Sequence, residues 1–262
     1  MKLRHLPGLV RDLIEVLPSR TRHEWETLDS IESEKPTVIL ISGFAATNRN
    51  LSVMRKRLVR DGFNVVILAM DWQALSDGVR GLYRMSQRLS QLVLELRKGK
   101  CKGKAKIYLV AHSAGGLVAR YYVQLLGGFH YCDGLVTLAT PHTGTWLAAL
   151  GFLTHLILKA RCLLQMTPIS PFIRKLNEAT MPEDFRFLSI SSTDDYLCHG
   201  KATWLPPTLL QRNDAKAIEL SGLSHGDFLL SKKSYRICMN YLAPNQAVVH
   251  SPTPLAVVTT EA

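Results

Sequence analysis

Ile107-Tyr108-Leu109-Val110-Ala111-His112-Ser113-Ala114-Gly115-Gly116-Leu117-Val118-Ala119-Arg120 is the stretch around which the chain is organised. Its four leading apolar residues read as a buried strand, a tight Ala-His-Ser-Ala-Gly turn follows, and a helical pattern begins without a gap. A serine at the apex of such a turn sits on strained backbone that lifts its hydroxyl clear of the sheet. So tight a turn requires small residues two places before and after the serine. Ala111 and Gly115 meet that requirement, and Gly116 lets the helix pack close. An ordinary strand-to-helix turn that happens to carry serine would show the same local spacing.

Outward from this stretch, short apolar runs alternate with helical patterns. Residues 37–43 (TVILISG), 63–70, 135–139, 185–191 and 215–220 read as strands. Leu51, Met54, Leu58 and Val59, preceded by Asn48-Arg49-Asn50 with an asparagine cap candidate, read as a helix, as do 76–98 and 228–242. Such alternation predicts an α/β domain: a mostly parallel sheet flanked by helices, with ligands at the carboxyl ends of the strands. Residues 146–182 are apolar and helical in pattern, broken by Pro168 and Pro171. They fit a cap or lid insertion, and equally a helical pair completing the core. Before the domain (37–243), Leu6, Leu9, Val10, Leu13, Ile14 and Leu17 mark an amphipathic helix within residues 1–36. That helix suits docking on the domain or an in-plane membrane anchor. Residues 244–262 lack periodicity and read as a loose tail; the Lys- and Gly-rich stretch 98–104 reads as a solvated loop.

At 262 residues, with 47% hydrophobic and 20% charged, the chain fits one globular domain. Its net charge of +11 favours anionic surfaces. No aromatic-interleaved basic stripe points to nucleic acid, so peripheral contact with an anionic membrane is the expected association. Cys101, Cys132, Cys162, Cys198 and Cys238 are odd in number and widely spaced, which predicts free thiols in a reducing, cytoplasmic compartment and no metal site. No leader pattern is legible at the N-terminus, and no run of about 18 apolar residues marks a membrane span.

The serine turn resembles the nucleophile elbow of α/β-hydrolases, in the alanine-first form that some bacterial lipases use. In that fold the order Ser, acid, His is expected. Residues 187–197 (FLSISSTDDYL) form a strand running into two aspartates, and residues 220–229 (LSGLSHGDFL) form a strand end, a glycine-containing loop and a histidine. Matched to the acid loop of small lipases, the acid falls on Asp195, with Asp194 the other candidate; the histidine is His225. The resemblance also implies two oxyanion donors, the main-chain N–H groups of Ala114 and Phe44. Where those lipases carry His-Gly in the loop after the first strand, this chain has Ser42-Gly43. Thr140-Pro141-His142-Thr143-Gly144-Thr145 resembles a stretch common in triacylglycerol lipases, which implies lipid esters.

Together these matches imply a lipase- or esterase-like serine hydrolase of carboxylic, lipid acyl esters. Its catalytic residues would be Ser113, Asp195 and His225, with an acyl-enzyme intermediate and no metal or organic cofactor. Two rivals stay open: an acyltransferase or acyl thioesterase with the same residues, and a non-catalytic membrane-binding homologue. His112 adjoins the serine but points away from it, and is expected to pack or hydrogen-bond behind the turn. His142 is expected near the site, and His155 and His199 at the surface.

Overall fold

The computed structural model describes residues 31–43, 48–70, 80–99, 101, 105–148, 161–198, 200–210 and 215–244. The amphipathic stretch before residue 31, the tail beyond 244, Phe44, His155 and His199 lie outside the described residues.

Six strands form one sheet: β1 (Thr37–Ile41), β2 (Asn64–Leu68), β3 (Ile107–His112), β4 (Gly134–Leu138), β5 (Arg186–Ser192) and β6 (Ala215–Leu220). Their order across the sheet is β2-β1-β3-β4-β5-β6, and every neighbouring pair is parallel. The strands are those expected from sequence, each ending within two residues of the expected end. β1, β3 and β4 are buried throughout, as strands covered on both faces must be.

Alternation along each strand sends side chains to two separate cores. Ile39, Ile41, Leu109 and Leu135 pack with α2 (Gly81–Lys98), α3 (Ala114–Leu125) and α4 (Pro171–Glu178). Val38, Leu40, Val110 and Val136 pack on the other face with α1 (Asn48–Arg60) and the two C-terminal helices. The segment read as one helix over 228–242 is two, α6 (Asp227–Leu230) and α7 (Lys232–Leu242), with the four-residue helix α5 (Pro207–Leu210) preceding β6. Ser231 is the break: it is extended at φ −66° and ψ 129°, and its Oγ accepts from the N–H groups of Lys233 and Ser234. Arg57 of α1 donates to the carbonyls of Leu230 and Ser231, so this joint is pinned from both sides.

The 146–182 stretch is only partly helical where described, with a 3-10 turn over Arg161–Met166 and then α4. Ser170 caps α4 by accepting from Ile173 N–H. Phe172, Ile173 and Leu176 are buried in the main core, so this portion completes the core rather than standing over the sheet.

Removing the cap at the α6–α7 joint should destabilise the fold without touching the sheet. Ser231→Ala is expected to cost about 1 kcal/mol, read as a lower denaturant midpoint at unchanged m-value.

Candidate active site

Three buried side chains meet beyond the carboxyl ends of β3, β5 and β6. His225 Nε2 lies 2.9 Å from Ser113 Oγ. His225 Nδ1 lies 2.8 Å from Asp195 Oδ2. A carboxylate oxygen only accepts, so Nδ1 carries the proton, and in the neutral ring Nε2 is left to accept from the Ser113 hydroxyl.

Ser113 stands at φ 55° and ψ −129°, between the last residue of β3 and the first of α3. The left-handed region is costly for a residue with a Cβ, on the order of 1–3 kcal/mol. Neighbouring glycines make it attainable. A Cβ on Gly115 would fall 2.5 Å from the Ser42 carbonyl oxygen, and one on Gly43 would fall 2.4 Å from Ser113 Cβ. A Cβ on Gly116 would collide with the Thr140 side chain. The small residues read from the sequence are therefore demanded by contact. Thr140 Oγ1 in turn donates to the Ser113 carbonyl, which couples the Thr-Pro-His turn to the serine.

Of the two adjacent aspartates, Asp195 is the one that faces His225. Its Oδ1 accepts from the N–H groups of Leu197 and Cys198, which fixes the carboxylate in the loop after β5. Asp194 does other work: its Oδ2 accepts from Gly222 N–H at 2.7 Å and ties the acid loop to the histidine loop. Gly222 holds φ 77°, the backbone turn that a glycine permits there. His225 is bracketed by Ser224, whose N–H and Oγ–H both donate to Asp227 Oδ2, and is anchored by buried Phe228 and Leu229.

His112 lies behind the turn, as expected. Its Nε2–H donates to the His225 carbonyl at 2.9 Å, and the two rings stand 4.8 Å apart. Burial, reinforced by the neighbouring His225, pushes its pKa down to about 3, so the ring stays neutral. Asp195 thus orients the imidazole of His225 while His112 holds its backbone.

His142 does not line the site. It is fully buried, with Nε2 at 3.0 Å from Ser189 Oγ and Nδ1 accepting from Arg120 Nη1 at 3.3 Å. Arg120 is also fully buried, and among the described residues no carboxylate pairs with it. Its guanidinium donates to the carbonyls of His142 and Leu176 and to Asn177 Oδ1, joining α3, the Thr-Pro-His turn and α4. Burial lowers its pKa to about 9. The sequence signal for Arg120 was available, since it is the lone cation on an otherwise apolar helix. Ser42 carries no such signal. Its Oγ accepts from Met70 N–H at 2.8 Å and braces the loop where lipases carry histidine.

Ala114 opens α3, where main-chain N–H groups lack partners within the helix and the helix end is partly positive. Phe44, expected as the second donor, lies outside the described residues. All five cysteines are buried free thiols, and burial raises Cys132, Cys162 and Cys238 to about 12. Among the described residues no cluster of His, Cys, Asp or Glu could hold a metal ion.

Residues 32–168, more than half of the chain, match the sequence family described as "Putative serine esterase (DUF676)". The chain belongs to that family. The matched region includes Ser113 and Ala114 and ends before Asp195 and His225. No curated protein matches the sequence. Solved structures agree on the fold. An esterase of Pyrococcus furiosus aligns with TM-score 0.62 at 13% identity, covering 87% of this chain and 97% of its own. A mature lipase of Bacillus licheniformis aligns at 0.60 and 15%, covering 81% and 94%. A monoacylglycerol lipase of Paleococcus ferrophilus aligns at 0.56 and 17%, covering 83% and 96%. The fold of this chain is the α/β-hydrolase fold.

The depressed pKa of His112 sets a pH dependence of stability. Between about 6.5 and about 3 the unfolded chain binds a proton at this position and the folded chain does not. Unfolding free energy should therefore fall as pH drops through that window, by up to about 1.4 kcal/mol per pH unit from this group. Urea unfolding at pH 7 and pH 5 measures it, and His112→Gln should reduce the difference, leaving the part that buried His142, also held neutral by burial, contributes with the same sign.

Proposed function

We propose that this chain hydrolyses carboxylic esters, with lipid acyl esters as its substrate class, through an acyl-enzyme on Ser113. The observation that carries the reading is the unbroken run of hydrogen bonds from Asp195 through His225 to a serine on positive-φ backbone. A serine hydroxyl becomes nucleophilic when an adjacent base removes its proton.

In the proposed cycle Ser113 Oγ attacks the ester carbonyl as His225 Nε2 takes its proton. Asp195 stabilises the imidazolium. His112, neutral and 4.8 Å from His225, adds no like charge beside it. The developing oxyanion is held by the N–H groups of Ala114 and Phe44, each donor contributing about 3 kcal/mol to the transition state. His225 then gives the proton to the departing alkoxide, which leaves as the alcohol. Water repeats the sequence on the acyl-enzyme, with His225 as base, and releases the acid. Neither step requires a metal or organic cofactor.

The Thr140–Thr145 turn supports lipid esters by its likeness to triacylglycerol lipases, and it abuts Ser113 through Thr140. The named activities of the lipase and esterase structures above are consistent with this class.

Substitution separates the roles. Ser113→Ala should lower kcat/KM for a medium-chain nitrophenyl ester by about 10⁴ or more. Asp195→Asn should cost at least about 10³ in kcat, whereas Asp194→Asn should stay within about tenfold, because its carboxylate serves the loop rather than the imidazole. Unchanged turnover in Ser113→Ala would exclude the mechanism, and two mild aspartate losses would put the acid elsewhere.

A further inference from the structure

Both tryptophans among the described residues face solvent. Trp146 is 60% exposed and Trp204 is 59% exposed, with Ile169 at 68% and Leu147 at 42%. A water-facing tryptophan is unusual, and two at one end of the sheet form an apolar surface that a monomer in water does not normally keep.

The three segments carrying these side chains are tied together around Gly144. Thr143 N–H donates to the Ala202 carbonyl and its Oγ1 to the Lys201 carbonyl. Thr145 N–H donates to the Met166 carbonyl. Gly144 lies so near residues 166–168 that a Cβ on it would fall 2.7 Å from Pro168 N. Thr140, in the same turn, holds the Ser113 carbonyl. The exposed apolar side chains therefore ride on a braced platform beside the serine, at the carboxyl end of the sheet.

The charged side chains of these segments are mainly basic. From residue 140 to 178 the sequence holds Lys159, Arg161, Arg174 and Lys175 against one acid, Glu178; from 196 to 210 it holds Lys201 and no acid. Arg174, Lys175 and Lys201 are exposed. Tryptophan and aliphatic side chains on segments that also carry lysine and arginine suit the boundary between headgroups and acyl chains of an anionic bilayer.

We propose that Trp146, Leu147, Ile169 and Trp204 form a docking surface for an anionic phospholipid bilayer, presenting the Ser113 site to esters in the membrane. The proposal rests on the esterase reading for its purpose, but not for its test. The full chain is sedimented with vesicles of phosphatidylcholine alone or mixed with phosphatidylserine, at low and high salt. Turnover of a short-chain, water-soluble nitrophenyl ester is measured on the same samples.

Wild-type protein should pellet with the phosphatidylserine vesicles and be released by salt. Trp146→Ser/Trp204→Ser should bind about tenfold more weakly while turning over the soluble ester within about twofold of wild type. Lys175→Glu/Lys201→Glu should lose preferentially the phosphatidylserine-dependent part. Docking is overturned if the wild type stays in the supernatant or if the tryptophan variant binds as the wild type does. Equal binding to phosphatidylcholine alone overturns the anionic partner. Concentration-dependent self-association lost in the tryptophan variant would assign the face to a second copy of the chain and overturn the bilayer. Soluble turnover without vesicle binding refutes docking alone; vesicle binding without turnover refutes the esterase reading alone.

Discussion

Ser113 is held in a backbone conformation that a residue with a Cβ ordinarily avoids, at φ 55° and ψ −129°, and the site depends on what holds it there. β3 delivers the chain to that point and α3 carries it away, so the serine projects beyond the sheet with a helix N-terminus directly behind it. The conformation is over-determined. Gly43 and Gly115 admit no Cβ, Thr140 holds the carbonyl, and Ser113 N–H donates to the Leu138 carbonyl of β4. Strain of this size persists because four separate contacts would have to yield together.

The other two members of the site are placed by independent means. Asp195 is fixed by two main-chain N–H groups of its own loop, and His225 by a carboxylate in front, a neutral histidine behind and two buried apolar residues after it. Parallel strands in register put all three loops at one end of the sheet. Topology supplies proximity, and local hydrogen bonds supply the last ångström that the proposed proton transfer needs.

Much of this was legible in the sequence, for reasons that differ between elements. Fully covered parallel strands write themselves as apolar runs, so β1, β3 and β4 stood out. The serine turn was legible because its geometry forbids side chains at Gly115 and Gly116. His225 was legible from its place after the last strand. By spacing alone the choice between Asp194 and Asp195 was not, and only the resemblance favoured Asp195, because adjacent residues in a loop share every coarse signal and differ only in which way the carboxylate turns. Nor was the brace at Ser42, since a hydroxyl that accepts from Met70 N–H reads in sequence as any strand-ending serine. His142 was misplaced for a similar reason: proximity along the chain suggested the site, while Arg120, Thr137 and Ser189 draw its ring into the core. The break at Ser231 was hidden because α6 and α7 continue one apolar pattern across it.

The most direct measurement of the central claim is covalent labelling. An activated serine attacks the phosphorus of a fluorophosphonate, expels fluoride and keeps the phosphonyl group; unactivated serines do not react at useful rates. Peptide mass spectrometry of the labelled wild-type chain should find about one adduct per molecule, on Ser113, with the adduct strongly reduced in His225→Ala. Labelling spread over other serines, or labelling of Ser113 that persists undiminished without His225, would contradict the account.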